Sequence, residues 1–481
     1  MQAGALLALK RYEEAEAAYR SELEASPRDP ALYYGLGIAL WEMGRYEEAE
    51  RAQRSALALQ PDSAEAHYEL GNALNLMQRY EEAEAAFERA TALRPKFAEA
   101  HTNLARVLLD LRRPEEAMAR SRRALALTPA HWPSHAMLGN ALRELGRERD
   151  AETAFRRAIA LAPQADVAMP RYNLGTLLLA RGDFASGWPL YESRLEVKHG
   201  EWLRGTDPAP NFPFPRWSDD SAPGKRLLIW PEQGFGDAIT FARYVPLLAE
   251  RGMRVTLACR APLKELMRSL RGAEIVDVRE AAAQPFDFWT LICSLPSHLG
   301  GESIPAAIPY LAADPQRIGA WRERLPQGRF KVGLVWKGRP DFRRDRYRSL
   351  PSVQVLRPLW DVPGIAFVSL QKGADEDLQP PADQPLSRLG PAIADFADSA
   401  AIIAGLDLVI TSDTAMAHLA GALGKKVWVL VPGYSRDWRW PATGETCRWY
   451  PGVMRLFHQG ADWSWEKTIA AVRDALQVLT R

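Results

Sequence analysis

Two short stretches of this chain set glycines, a carboxylate and a hydroxyl-rich turn where a helix begins. Glu232-Gln-Gly-Phe-Gly-Asp237 follows one apolar run and opens a helix-like segment. Gly234 and Gly236 let the backbone come close to a ligand, and a helix amino terminus favours negative charge. The same residues suit an ordinary tight turn. Thr240 stands near where the third glycine of a dinucleotide fingerprint would fall, which argues against NAD. The second stretch, Ile410-Thr-Ser-Asp-Thr-Ala-Met-Ala-His-Leu-Ala-Gly-Ala-Leu-Gly-Lys-Lys-Val427, reads as strand, cap, helix, glycine stop and strand. Ser412 or Asp413 is expected to cap that helix and leave the amides of Thr414, Ala415 and Met416 to meet a phosphate. A well-capped crossover helix without a ligand has the same pattern. His418, one turn past the cap, suits either a hydrogen bond to the ligand or packing in a cleft wall.

Weaker signals surround these two. Gln371 opens Gln371-Lys-Gly373 at the end of an apolar run, where open parallel sheets bind ligands. Asp437-Trp-Arg-Trp440 offers Trp438 and Trp440 for stacking on a sugar or base, although tryptophan is as often core. Asp375-Glu-Asp377 spells a metal-binding Asp-x-Asp, but it sits among other acids and reads as surface. Cys259, Cys293 and Cys447 are far apart and match no metal-ligand spacing, so no metal site is expected.

The elements that must position these residues change character along the chain. From Arg226 onward, short apolar runs alternate with helix-like segments: strands are expected at 226–230, 255–258, 274–277 and 288–293. A second series is expected at 331–336, 365–370, 406–410 and 426–431. Such alternation predicts parallel, doubly wound sheets, and two series meeting near residue 312 predict two lobes with a cleft between them. Before Arg226 the pattern differs. Pro27, Pro61, Pro95, Pro129 and Pro163 recur every 34 residues, with Ala15, Ala49, Ala83, Ala117 and Ala151 in the same register. This period resembles the tetratricopeptide repeat (TPR) family and predicts a helical-hairpin solenoid, either a spacer or a groove for an extended peptide. Pro208, Pro210, Pro213, Pro215 and Pro223 mark an extended connection between the two regions.

Composition excludes several classes. Sixty-one Lys and Arg against 60 Asp and Glu leave a net charge of +1 across 481 residues, which gives no argument for nucleic acid. The residues after Met1 form an amphipathic pattern rather than a signal peptide, and no apolar run approaches the ~18 residues of a membrane span. The expectation is a cytoplasmic chain without stable membrane insertion.

Gly234-Phe-Gly-Asp237 and Ser412-Asp-Thr-Ala-Met-Ala-His-Leu-Ala-Gly421 together resemble the ADP-heptose:lipopolysaccharide heptosyltransferase superfamily. The whole chain resembles bacterial tetratricopeptide-repeat proteins fused to a glycosyltransferase module. That resemblance implies an all-α TPR solenoid followed by an α/β GT-B fold of two Rossmann-like lobes. The repeats would occupy 1–200, a Pro-rich linker 201–225, the acceptor-side lobe 226–312 and the donor-side lobe 313–481. It further implies a nucleotide-sugar donor as co-substrate, no other cofactor, and inverting, metal-independent transfer. Asp237 would be the general base, although a helix N-cap carboxylate is an equal reading. The loop from Lys337 to Ser349 would supply Lys337, Arg346 and Arg348 to the donor phosphates; its arginine content exceeds that of true heptosyltransferases, and a solvated surface run is the competing reading. The expected acceptor is a protein or peptide hydroxyl held in the TPR groove. The alternatives are transfer to a glycolipid or lipopolysaccharide, or a scaffold whose lobes no longer turn over.

Overall fold

The computed structural model describes residues 2–197, 211–218, 223–340, 345–373, 385–460 and 462–480. The chain divides into two compact units, Met1–Leu174 and Gly175–Arg481.

The first unit is a run of antiparallel helix pairs: Gln2–Ala8 with Tyr12–Ala25, Pro30–Glu42 with Tyr46–Leu59, Ala64–Leu76 with Tyr80–Leu93, Ala98–Asp110 with Pro114–Leu127, and Trp132–Glu144 with Glu148–Leu161. Each begins where its sequence directs it. Asp29 accepts from the Ala31 amide with Pro30 in the first turn, and Ser63 Oγ accepts from the Ala66 amide at 3.1 Å. The helices of a pair touch closely at small residues. A Cβ on Gly71 would fall 2.7 Å from the Phe87 ring, so glycine sets that separation. Ala83, Ala117 and Ala151 are fully buried in the same seam.

The pairs are also joined by a charge ladder. The residue before each second helix is arginine, and at three of the five it reaches one acid in its own helix and one in the preceding pair. Arg45 binds Glu48 at 2.6 Å and Glu16 at 2.7 Å. Arg79 binds Glu82 and Glu50, both at 2.7 Å, and Arg113 binds Glu116 and Glu84, both at 2.6 Å. At the next step Arg147 keeps Asp150 at 2.6 Å, but the earlier position is Met118, whose Sδ lies 3.7 Å away.

The second unit holds two all-parallel sheets. The first has the order β3-β2-β1-β4, with β1 Arg226–Trp230, β2 Arg254–Cys259, β3 Ala273–Asp277 and β4 Phe288–Leu291. The second has the order β10-β9-β8-β5-β6-β7, with β5 Phe330–Val335, β6 Ile365–Ser369, β7 Leu386–Arg388, β8 Leu408–Ser412, β9 Val427–Val431 and β10 Met454–His458. In each sheet the strand order reverses beside the strand that comes first in the sequence, at β1/β4 and at β5/β8. Open parallel sheets bind ligands at such points, outside the carboxyl ends of the strands. β8 runs two residues further than expected, so Ser412 is a buried strand residue and not a cap.

The second unit begins well before β1. The helix Ala168–Arg181 straddles the boundary, and Phe184–Tyr191 follows it. Trp188 is 2% exposed, its ring centroid 6.0 Å from that of Phe241. Arg194, wholly buried, grips Glu232 at 2.6 and 3.1 Å, and its other arm binds Glu192 at 2.6 Å. Glu232 also accepts from the Cys293 amide at the end of β4. Residues 211–218 of the expected linker are extended; Arg216 bridges to Trp289 of β4, and Phe212 packs 5.3 Å from Trp230.

A buried acid that loses its only guanidinium costs about 3–5 kcal/mol. Arg194→Met is therefore expected to destabilise the second unit by that order in urea unfolding, and Arg194→Met with Glu232→Leu to recover a large part. A fragment beginning at Gly205 carries the same defect and is expected to aggregate, whereas one beginning at Gly175 is expected to unfold cooperatively. A soluble, cooperative fragment from Gly205 would contradict this.

Candidate functional site

The register Val335↔Thr411 sets the ends of β5 and β8 side by side, so the segments leaving them, Trp336-Lys337-Gly338 and Asp413-Thr414, begin at one edge of the sheet. Gln371, leaving β6, fixes the first segment. Its Oε1 accepts from the amides of Trp336 at 3.1 Å and Lys337 at 3.0 Å, and its Nε2 donates to the Lys337 carbonyl at 3.2 Å. Gln371 is thus at the expected edge but spends its amide on the backbone that presents Lys337, which corrects its assignment as a ligand contact. The Gly338 amide donates to Ser349 Oγ at 2.8 Å, and Ser349 donates to Asp345 at 2.7 Å, tying down the short helix Asp345–Arg348. Arg348 leans on Asp345 at 3.3 Å. Arg346 is exposed and lies over the Tyr347 ring at 4.7 Å. Residues 341–344 of the basic loop and the Asp375-Glu-Asp377 run lie outside the described residues.

On the β8 side the cap is Thr414. Its Oγ1 accepts from the Met416 amide at 3.3 Å and pairs with Thr411 Oγ1 at 3.0 Å. Neither Ser412 nor Asp413 caps the helix Ala415–Ala422, and the Met416 amide is already engaged. Asp413 is instead a buried carboxyl pushed up to about 6, first by burial and then by the charge of Asp437, while Arg348 and the Trp440 indole N–H pull it the other way. Asp437 itself, half-buried, is held below the usual carboxylate range by Arg439, which outweighs the partial loss of solvent.

The glycine loop after β1 comes to this edge through helix packing. Gly236 lies against Ala415–Ala422: a Cβ there would fall 3.0 Å from His418 Cδ2 and 3.5 Å from Ala415 Cα. Close approach is the reason for glycine at 236. The left-handed conformation falls on Gln233, with φ of 56°, whose Nε2 donates to Tyr191 at 2.8 Å and whose carbonyl accepts from Arg260 at 2.7 Å. A strained non-glycine residue persists only where its surroundings over-determine it.

Asp237 has two partners. Its Oδ2 accepts from the Gly234 amide at 3.0 Å, closing a cap, and its Oδ1 pairs with Arg439. Arg439 holds both oxygens of Asp437 at 3.0 Å with its other nitrogen. His418 is a seam residue and not a ligand contact: it is 6% exposed, stacks on Trp440 at 5.2 Å and 15°, and meets Thr240 Oγ1 at 2.9 Å. Burial, then the charge of Arg439, pushes its imidazole down to about 3, so it is neutral. Trp440 is 1% exposed, and Trp438 packs 5.6 Å from Trp188 and 5.7 Å from Trp449. Trp440 is therefore core, whereas Trp438 is half-buried, with part of its surface in this aromatic cluster. The residue that sequence reasoning passed over is Arg439, between them; its signal was a basic residue inside an aromatic run.

Asp413 makes a testable demand on pH. Its carboxyl is raised in the folded chain, so its protonated form contributes stability that is present below its unfolded pKa of about 3.9 and is lost as pH rises through about 6. Asp413→Asn is expected to raise the unfolding midpoint at pH 7.5, by on the order of 2 kcal/mol in stability, and to leave it nearly unchanged at pH 4. An equal effect at both pH values would show that the group does not titrate this way.

Tetratricopeptide-repeat family models match residues 29–96, 76–120 and 136–193. Protein FlbA of Caulobacter vibrioides is 34% identical over 348 residues, covering 65% of this chain and 55% of its own length. The chain thus spans about half the length of this curated relative. Among solved structures, PilW, titled a widely conserved type IV pilus biogenesis factor, is 21% identical with a TM-score of 0.37, over 40% of this chain and 89% of its own. YrrB, titled a TPR protein with an unusual peptide-binding site, is 22% identical with a TM-score of 0.31, over 38% and 93%. The amino-terminal region of the chain is built of tetratricopeptide repeats, and an α/β region of parallel sheets follows them.

Proposed function

We propose that the carboxy-terminal unit is a GT-B-type glycosyltransferase that moves a sugar from a nucleotide-sugar donor to a protein hydroxyl. The observation that carries this reading is the edge shared by β5 and β8. There the Lys337 backbone, Arg348 and the Thr414-capped helix start beside a strand-order reversal, with the glycine loop and Asp237 packed against the same helix. Departure of a nucleotide leaves negative charge that needs preorganised donors, and Lys337 with Arg348 are cations of the right kind. Asp237, the acid of the glycine loop, is 18% exposed in its side chain and would take the proton of the acceptor hydroxyl as it attacks the anomeric carbon. The heptosyltransferase-like motifs favour inverting transfer that uses the donor as a co-substrate.

The repeats would hold the acceptor and raise its local concentration. Tyr68, Asn72 and Asn103, on neighbouring first helices, form a polar chain: the Asn103 amide donates to Asn72 at 2.8 Å and to Tyr68 at 3.1 Å. Glu69, raised by burial, accepts from Asn72 at 3.0 Å. Amides in such a row suit the backbone of an extended segment. Among the described residues no helix is long and apolar enough to cross a membrane.

A second reading, a scaffold without turnover, draws support from Asp237, whose two oxygens are both engaged. One experiment separates the two. Nucleoside diphosphates are screened for thermal stabilisation, and the matching nucleotide sugars for transfer to candidate protein acceptors. Transfer by the parent, its loss by at least about 100-fold in Asp237→Ala with diphosphate stabilisation retained, and loss of that stabilisation in Lys337→Ala are expected. No stabilisation by any diphosphate would favour the scaffold.

A further inference from the structure

We infer that Arg439 is a positioning residue for Asp237, fixing the acid of the first sheet's glycine loop relative to the crevice of the second sheet. The inference rests on the sugar-transfer reading above and deepens it. Asp237 lies in the helix that follows β1, whereas Arg439 and Asp437 lie in the segment that follows β9. One guanidinium therefore links the two sheets at the carboxylate itself.

Nothing around Arg439 lets it swing away. Its Nη1 takes both oxygens of Asp437 at 3.0 Å, and the Asp437 carboxylate also accepts from the Arg439 amide at 2.9 Å. Its planar face lies 4.6 Å from the Trp438 ring centroid, 5.2 Å from Phe241 and 6.0 Å from Trp449. The side chain is 4% exposed. Burial opposes its charge, but Asp437 and then Asp237 hold it ionised.

The pairing orients Asp237 without exhausting it. A carboxylate offers about four acceptor positions. The Gly234 amide and Arg439 Nη2 take one on each oxygen, so each oxygen keeps a position for a proton. A lysine in place of Arg439 keeps a charge but has no fork, and cannot grip Asp437 twice while reaching Asp237.

The test is a cycle of four proteins: parent, Asp237→Ala, Arg439→Lys and the double variant. Arg439→Lys is expected to lower kcat about 10–100-fold with the donor KM within about threefold, because orientation is lost and binding is not. The double variant is expected to be no slower than Asp237→Ala alone, since Arg439 acts through Asp237. Multiplying losses, or an unchanged kcat in Arg439→Lys, would overturn the inference. Should Arg439→Lys fail to fold, Asp437→Asn loosens the same fork and carries the same expectations. Hydrogen exchange at the Gly234 amide, which Asp237 holds, reads the positioning without any turnover. Faster exchange in Arg439→Lys supports the inference even if the parent transfers no sugar, in which case the transfer reading alone falls; unchanged exchange overturns it.

Discussion

One guanidinium divided between two sheets is the constraint around which the second unit is arranged. Arg439 brings charge into a region that is otherwise tryptophan and phenylalanine, and isolated charge there would be costly. Asp437 and Asp237 neutralise it at different nitrogens, so each acid is explained by the same cation. For the neighbouring Asp413, burial and the charge of Asp437 outweigh the pull of Arg348 and Arg439, and its carboxyl is raised. Helix packing follows from the same juncture: Gly236 is small because His418 is close, and His418 is neutral because it is stacked on Trp440 beside that cation. The edge shared by β5 and β8 is therefore shaped by packing as much as by the residues at the strand ends.

The repeats could be read in advance because their determinants are local and recur. Gly71 and Ala83 are small where two helices touch, and the same register returns in each block. Most strands were readable as apolar runs, but β7 and β10 were not. β7 is three residues long, and in β10 the half-exposed Arg455 and His458 interrupt the run after an aromatic loop. Serine favours caps, but pairing of Ser412 with Leu430 of β9 carries the strand through it. Gln371 stands at the expected strand end, yet nothing in a lone glutamine says whether it meets a ligand or its own backbone. Arg194 and Glu232 lie 38 positions apart, and no periodicity links them. Their partnership is also why the second unit begins in what reads as the last repeat.

The missing rung between Arg147 and Met118 makes the repeat array mechanically uneven. Three joints carry an arginine shared between neighbouring pairs, and added electrolyte weakens such exposed pairing. At the next joint the corresponding arginine, Arg147, meets the thioether of Met118 instead of an acid. Added electrolyte therefore acts on three of these four arginine contacts and leaves the one at Met118 unaltered.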